Sequence, residues 1–218
     1  MGHPMSVRAR VVSFAAVSIW LATPATARAH RLDEYLQATR VTIDAERVGL
    51  EIDLTAGVNM ASEVFAWIDT NRDGQISSDE GEAYARQVLG SVVLSADGRA
   101  TPVTLVDFRF PRFGDMSRGV GTIQLRATAE LSASGAGRHQ VSFVNTHRPE
   151  RSVYLVNALV PTDPRIHIGG QQRDRAQHGL TLDYTVAGGA PWARTWSLLA
   201  ALGMAGVLGM TRRPRTRP

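Results

Sequence analysis

The feature that most constrains this chain is a run of twelve residues, Asp69-Thr70-Asn71-Arg72-Asp73-Gly74-Gln75-Ile76-Ser77-Ser78-Asp79-Glu80. Asp69, Asn71 and Asp73 occupy its first, third and fifth positions and point alternate side chains inward. Gly74 is sixth, where the chain must turn so sharply that a β-carbon is penalised. Gln75, seventh, offers its backbone carbonyl. Ser77, ninth, binds directly or through water, and Glu80, twelfth, closes the shell with both carboxylate oxygens. A hard cation of calcium's size takes about six to eight oxygens at roughly 2.3–2.6 Å. Asp69, Asn71, Asp73, Gln75 and Glu80 are therefore the expected metal ligands, and Ca2+ the expected ion. Ile76, the apolar member at position eight, should face a packed surface.

Such a loop is meaningful only between two helices. Upstream, Met60 to Ile68 has no glycine or proline, and Val64, Phe65 and Ile68 fall on one helical stripe. Downstream, Ser77 and Glu80 form a capping box before a helix through Tyr84, Ala85, Val88 and Leu89, which Gly90 ends. With these flanks the segment resembles the EF-hand family. Three acidic ligands, two neutral ones and Arg72 inside the loop predict an affinity of about 10⁻⁴–10⁻³ M, that of extracellular sites rather than cytosolic sensors. EF-hands usually pair through position eight, and no second twelve-residue loop occurs. Either Ile76 docks on the rest of the domain, or two chains pair through this element.

The ends of the chain suggest where the loop works. Residues 1–29 combine Arg8 and Arg10, an apolar run from Val11 to Ala22, and Ala27-Arg28-Ala29, the layout of a secretory signal peptide cleaved before His30. The run is too short to span a bilayer, which takes roughly 17–25 residues. By contrast Thr195 to Thr211 is free of charge over 17 positions, with Trp192 and Trp196 at one border and Arg212, Arg213, Arg215 and Arg217 beyond the other. This predicts a single transmembrane helix at 195–211 and a basic cytoplasmic tail at 212–218. The alternative is a hydrophobic sorting signal cut during transfer to another anchor. The main domain, 30–186, is then extracytoplasmic and periplasmic, tied to the membrane through a linker at 187–194 containing Gly188, Gly189 and Pro191.

These assignments change the meaning of the charge. The whole chain has a net charge of +4, yet residues 30–211 keep 17 arginines against 20 acids. A nucleic-acid partner loses its main support. Cysteine is absent, so the domain has no disulfides in spite of an oxidising destination.

Outside the calcium loop the pattern is that of strands. Val48, Leu50, Ile52 and Leu54 alternate with polar residues or glycine, as do Ile123 to Leu131 and Leu180 to Val186. Asp97-Gly98 predicts a hairpin between strands near Val92 to Leu94 and Val103 to Phe108. Tyr154 to Val160, apolar on nearly both faces, should be a central strand. The expected fold class is mainly β with an α insert: an antiparallel β-sandwich-like domain carrying one helix-loop-helix after its first hairpin.

A further set of residues, His30-Arg31-Leu32-Asp33-Glu34-Tyr35-Leu36-Gln37-Ala38, Ala83-Tyr84-Ala85 and Leu94-Ser95-Ala96-Asp97-Gly98, resembles the exported N-terminal domain of bacterial permeases of the nickel/cobalt-exporter and hydrogenase/urease-accessory type. The multi-helix permease is missing here. That resemblance implies an alternative role as a membrane accessory in nickel, cobalt or copper handling. His30 at the mature N-terminus would chelate a metal with help from His139, His147, His167 or His178. No nucleophile elbow, cysteine nucleophile, phosphate loop or H-E-x-x-H motif occurs, so no enzymatic activity is expected.

Overall fold

A computed structural model describes residues 32–132 and 135–188. The expected signal peptide at 1–29, His30, the transmembrane segment 195–211 and the tail 212–218 lie outside the described residues, as does most of the linker. Among the described residues no helix is long and apolar enough to cross a membrane.

The chain is mainly β. Strands β1 (Tyr35–Ile43) and β2 (Arg47–Ala56) form the first hairpin, followed by helices α1 (Ala61–Ile68) and α2 (Ser78–Leu89). Then come β3 (Val92–Ala96), β4 (Arg99–Ala100), β5 (Thr104–Arg109) and the short α3 (Phe113–Met116). The chain continues through β6 (Thr122–Glu130), β7 (Gly137–Asn145), β8 (Ser152–Ala158), β9 (Ile166–Arg173) and β10 (Gly179–Val186). One sheet runs β5-β6-β2-β1-β8 and the other β4-β3-β7-β10-β9. All pairs are antiparallel except β1 with β8, which is parallel.

Alternation in sequence becomes alternation in burial. Val48, Leu50, Ile52, Leu54 and Ala56 of β2 face inward, as do Ile123, Leu125, Ala127 and Ala129 of β6, and Leu180, Leu182, Tyr184 and Val186 of β10. Both sheets contribute to one continuous core, which Val64, Ile68, Tyr84, Ala85 and Val88 of the two helices join. The helical pair therefore shares its hydrophobic surface with the sheets, as the burial of a helix's apolar stripe demands.

Two strand expectations are corrected. Asp97-Gly98 does form a turn, with positive φ at both residues, but β3 pairs there with only the two residues of β4. The stretch expected as its partner crosses to the other sheet as β5, pairing with β6. The strand expected to be central, Tyr154 to Val160, is β8 and lies at a sheet edge. Its outward Val153 and Leu155 remain 38% exposed. The edge is blocked by β9 side chains: Arg173 Nε donates to the Val156 carbonyl at 2.6 Å, and Ala158 N donates to Gln171 Oε1 at 3.4 Å. Two of the edge's backbone groups are thereby engaged, which reduces the unpaired backbone that invites association.

Candidate metal centre

The loop between α1 and α2 is built from both helix ends. Asp69 closes α1, donating its N–H to the Phe65 carbonyl at 2.9 Å. Ser77 opens α2 with the expected capping box, its Oγ accepting from Glu80 N at 3.3 Å while Glu80 Oε2 accepts from Ser77 N at 3.0 Å. Between them the chain takes two left-handed steps, at Arg72 (φ 61°) and Gly74 (φ 82°). Glycine does so without penalty. Arginine bears a cost of about 1–2 kcal/mol, which the surrounding hydrogen bonds must offset.

Those bonds run from the backbone inward. Asp69, nearly buried, accepts from Asp73 N at 3.1 Å through Oδ1 and from Gly74 N at 2.9 Å through Oδ2. Asn71 Oδ1 accepts from Asp73 N at 2.8 Å, and Asp73 Oδ1 from Gln75 N at 2.8 Å. Glu80 reaches from the twelfth position back across the loop. Its Oε1 accepts from Thr70 N (2.8 Å), Thr70 Oγ1 (2.9 Å) and Asn71 N (3.1 Å), and its Oε2 from Ser77 Oγ at 2.8 Å. Donation from Ser77, then from Asn71 and Thr70, holds the Glu80 carboxyl down to about 2. It is therefore ionised throughout the neutral range, and a cation would meet no competing proton.

Of the sequence-predicted ligands, Asp69, Asn71, Asp73 and Gln75 thus lie on one short stretch between the helices, and Glu80, in the first turn of α2, reaches it through bonds from Thr70 N and Asn71 N. Among the described residues no three His, Asp or Glu side chains already converge as a metal cage. The carboxylates are turned toward amides instead. The donor set nonetheless suits a hard cation: three carboxylates, a side-chain amide oxygen and a main-chain carbonyl, all oxygen, on a loop whose dihedrals are already turned. Calcium would occupy this place by taking over oxygens now engaged by hydrogen bonds, chiefly those of Glu80.

Ile76 packs against the chain's own core. The surface it meets is aromatic. A cavity beside it is lined by Phe65, Gly74, Phe110, Pro111 and Phe113, and the rings of Phe65 and Phe113 lie 4.8 Å apart, tilted by 60°. Gly81, in the first turn of α2, lets the rings of Phe108 and Phe110 approach to where a β-carbon would stand about 3.0–3.2 Å away. The segment from β5 into α3 thus borders Ile76 and the first turn of α2.

A second constellation, only partly foreshadowed by His147, lies beneath the helices. Tyr35 Oη and Tyr84 Oη are 3.1 Å apart, and Tyr84 Oη is 3.1 Å from His147 Nε2. The His147 carbonyl accepts from Gln37 Nε2 (2.7 Å) and Tyr154 Oη (2.8 Å), while Asn145 Nδ2 donates to Gln37 Oε1 at 2.9 Å. These groups come from β1, α2, the end of β7 and β8, so the chain ties the helical insert to both sheets. Burial drives His147 down to about 4, aided by the charge of Arg148, and burial likewise raises Tyr35 and Tyr84. Arg148, at φ 50°, lays its guanidinium 3.7 Å over the ring of Trp67 at the end of α1. That contact contributes about 0.5–2 kcal/mol.

Three other histidines lie among the described residues. His139 contacts Asp97 Oδ2 at 2.8 Å and the Gly135 carbonyl at 2.9 Å, and the Asp97 carboxylate raises its pKa. His178 sits 3.1 Å from Asp174, and His167 is exposed on β9. The His178 ring lies 5.8 Å from that of Tyr154, whose hydroxyl donates to the His147 carbonyl, but among the described residues no three such side chains gather as a metal-binding group.

Neither the models of protein families nor the curated proteins compared with this chain give a match.

Proposed function

We propose that this chain is an extracytoplasmic calcium-binding module of the EF-hand type, borne on a β-sandwich-like domain and anchored by a C-terminal membrane segment at 195–211. The observation that carries the reading is the Asp69–Glu80 loop. All its oxygen ligands are of accepted type, it lies between two helices, and its backbone already takes the left-handed steps at Arg72 and Gly74.

The ion's role follows from what the loop joins. α1 and α2 meet the sheets through the Tyr35–Tyr84–His147 chain and through Trp67 beneath Arg148. Calcium held by Asp69 at the end of α1 and Glu80 at the start of α2 would fix the angle at which both helices sit. The module acts as a structural clip or recognition element rather than a sensor. Ile76 is spent on the chain's own core, so a second loop is not needed to complete its packing.

The test is calcium-dependent stability of a fragment spanning residues 30–190. With Kd near 10⁻⁴–10⁻³ M, 10 mM calcium stabilises by about 1.5–3 kcal/mol, several degrees in Tm. Glu80→Gln should abolish this shift. Equal shifts in parent and variant would place the site elsewhere.

A further inference from the structure

The loop joining β8 to β9 holds the most exposed large hydrophobic side chain among the described residues, Val160 at 88%, beside Leu159 at 38%. Pro161, Pro164 and Ile168 border the same surface. The loop is braced. Leu159 N donates to the Val41 carbonyl at 2.8 Å, Ile166 N to the Asp163 carbonyl at 3.0 Å, and the Asp163 carboxylate grips Arg165 at 2.6 Å. Leu159, Val160, Pro161, Pro164 and Ile168 thus border one contiguous apolar surface on a braced loop, and it is contiguity, not a single exposed side chain, that marks an interaction surface.

The chain's exit identifies what covers it. Val186, the last residue of β10, pairs with Ile166, and Ala187 N donates to the Arg165 carbonyl at 2.7 Å. The chain therefore leaves the domain against this loop. Residues 188–194 are all that separate it from the charge-free stretch Thr195 to Thr211. Seven residues reach at most about 25 Å. The calcium loop lies at the other end of the sheets: β2 runs from Arg47 beside this loop's end to Ala56 beside α1, roughly 30 Å.

We propose that Leu159, Val160 and Pro161 insert into the interfacial layer of the lipid bilayer that holds the C-terminal segment, docking the domain with its calcium loop directed away from the membrane. This rests on the anchoring reading above. Asp163 is matched by Arg165, and Asp44 and Glu46 lie close enough to Arg165 to raise its pKa. The surface thus carries no excess positive charge, and the contact is apolar rather than a headgroup-charge attraction.

The chain has no cysteine, so single labels are unambiguous. Full-length Val160→Cys and Val120→Cys, the latter 70% exposed in the calcium-loop half, would carry a polarity-sensitive fluorophore in phosphatidylcholine nanodiscs with spin-labelled lipid. Docking predicts at least fivefold stronger quenching at 160 than at 120, unchanged by added phosphatidylglycerol. Equal quenching at both positions, in chains that resist alkaline extraction, overturns the docking alone. Quenching that requires phosphatidylglycerol overturns its apolar basis. A chain extracted by alkali overturns the anchoring reading and the docking with it.

Discussion

Acid should loosen this domain through one histidine. His147 is held neutral by burial, with a folded pKa of about 4 against 6.5 when free. The unfolded chain therefore binds a proton at a pH where the folded chain does not. For a group depressed on folding, stability is fully present above the free value and is lost as pH falls from about 6.5 toward 4. Completed, the loss is about 3 kcal/mol. Between pH 7 and pH 5 it is about 2 kcal/mol, a fall of about 4–8 °C in Tm for a domain of this size. His139 contributes no such slope below pH 6. Its pKa is raised by Asp97, so it is protonated in both states there. The assay is urea or thermal unfolding of residues 30–190 at pH 7 and pH 5, comparing parent with His147→Gln. The glutamine amide can still meet Tyr84 Oη but does not titrate, so the variant should lose about 2 kcal/mol less than the parent over this interval. Parallel losses in the two proteins would refute the assignment.

Three further outcomes follow from particular contacts. Ile76→Ala should lower stability by about 1–2 kcal/mol, because the side chain is only partly buried against the core; it should also weaken calcium binding, read by titration calorimetry. Gly121→Ala would place a methyl 2.7 Å from Met116 N and 2.9 Å from the Asp115 carbonyl carbon. Backbone must then move, costing about 1–3 kcal/mol, visible as a lower denaturation midpoint. His139→Gln should remove a component of stability that is fully present below pH 6.5 and disappears as pH rises through the raised folded value; the parent should exceed the variant in Tm by more at pH 6 than at pH 8.5.

What could be read from the sequence was whatever leaves a local or periodic trace. Ser77 and Glu80, three apart, specified the capping box that the structure shows. Val48 to Leu54 and Ile123 to Leu131 specified inward faces because one-sided burial forces alternation. β9 escaped, since Ile166-His167-Ile168-Gly169-Gly170-Gln171-Gln172-Arg173 buries little beyond Ile166 and carries two glycines. β8 was misplaced because apolarity on both faces does not distinguish a central strand from an edge whose backbone is capped by Arg173 and Gln171. The polar chain of Gln37, Tyr84, Asn145 and His147 was invisible for a different reason. Its partners come from positions up to 110 residues apart, and each satisfied polar group resembles a surface residue in sequence. The loop from Asp69 to Glu80 was legible as a turn between two helices, but not the amide bonds that engage Glu80.

The central claim is that Asp69, Asn71, Asp73, Gln75 and Glu80 hold calcium. Titration calorimetry of residues 30–190 with calcium, magnesium, nickel and copper tests it most directly. The expected result is one calcium site of about 10⁻⁴–10⁻³ M that Glu80→Gln eliminates, with weaker magnesium binding. Tight nickel or copper binding that survives Glu80→Gln, with no calcium heat, would contradict it.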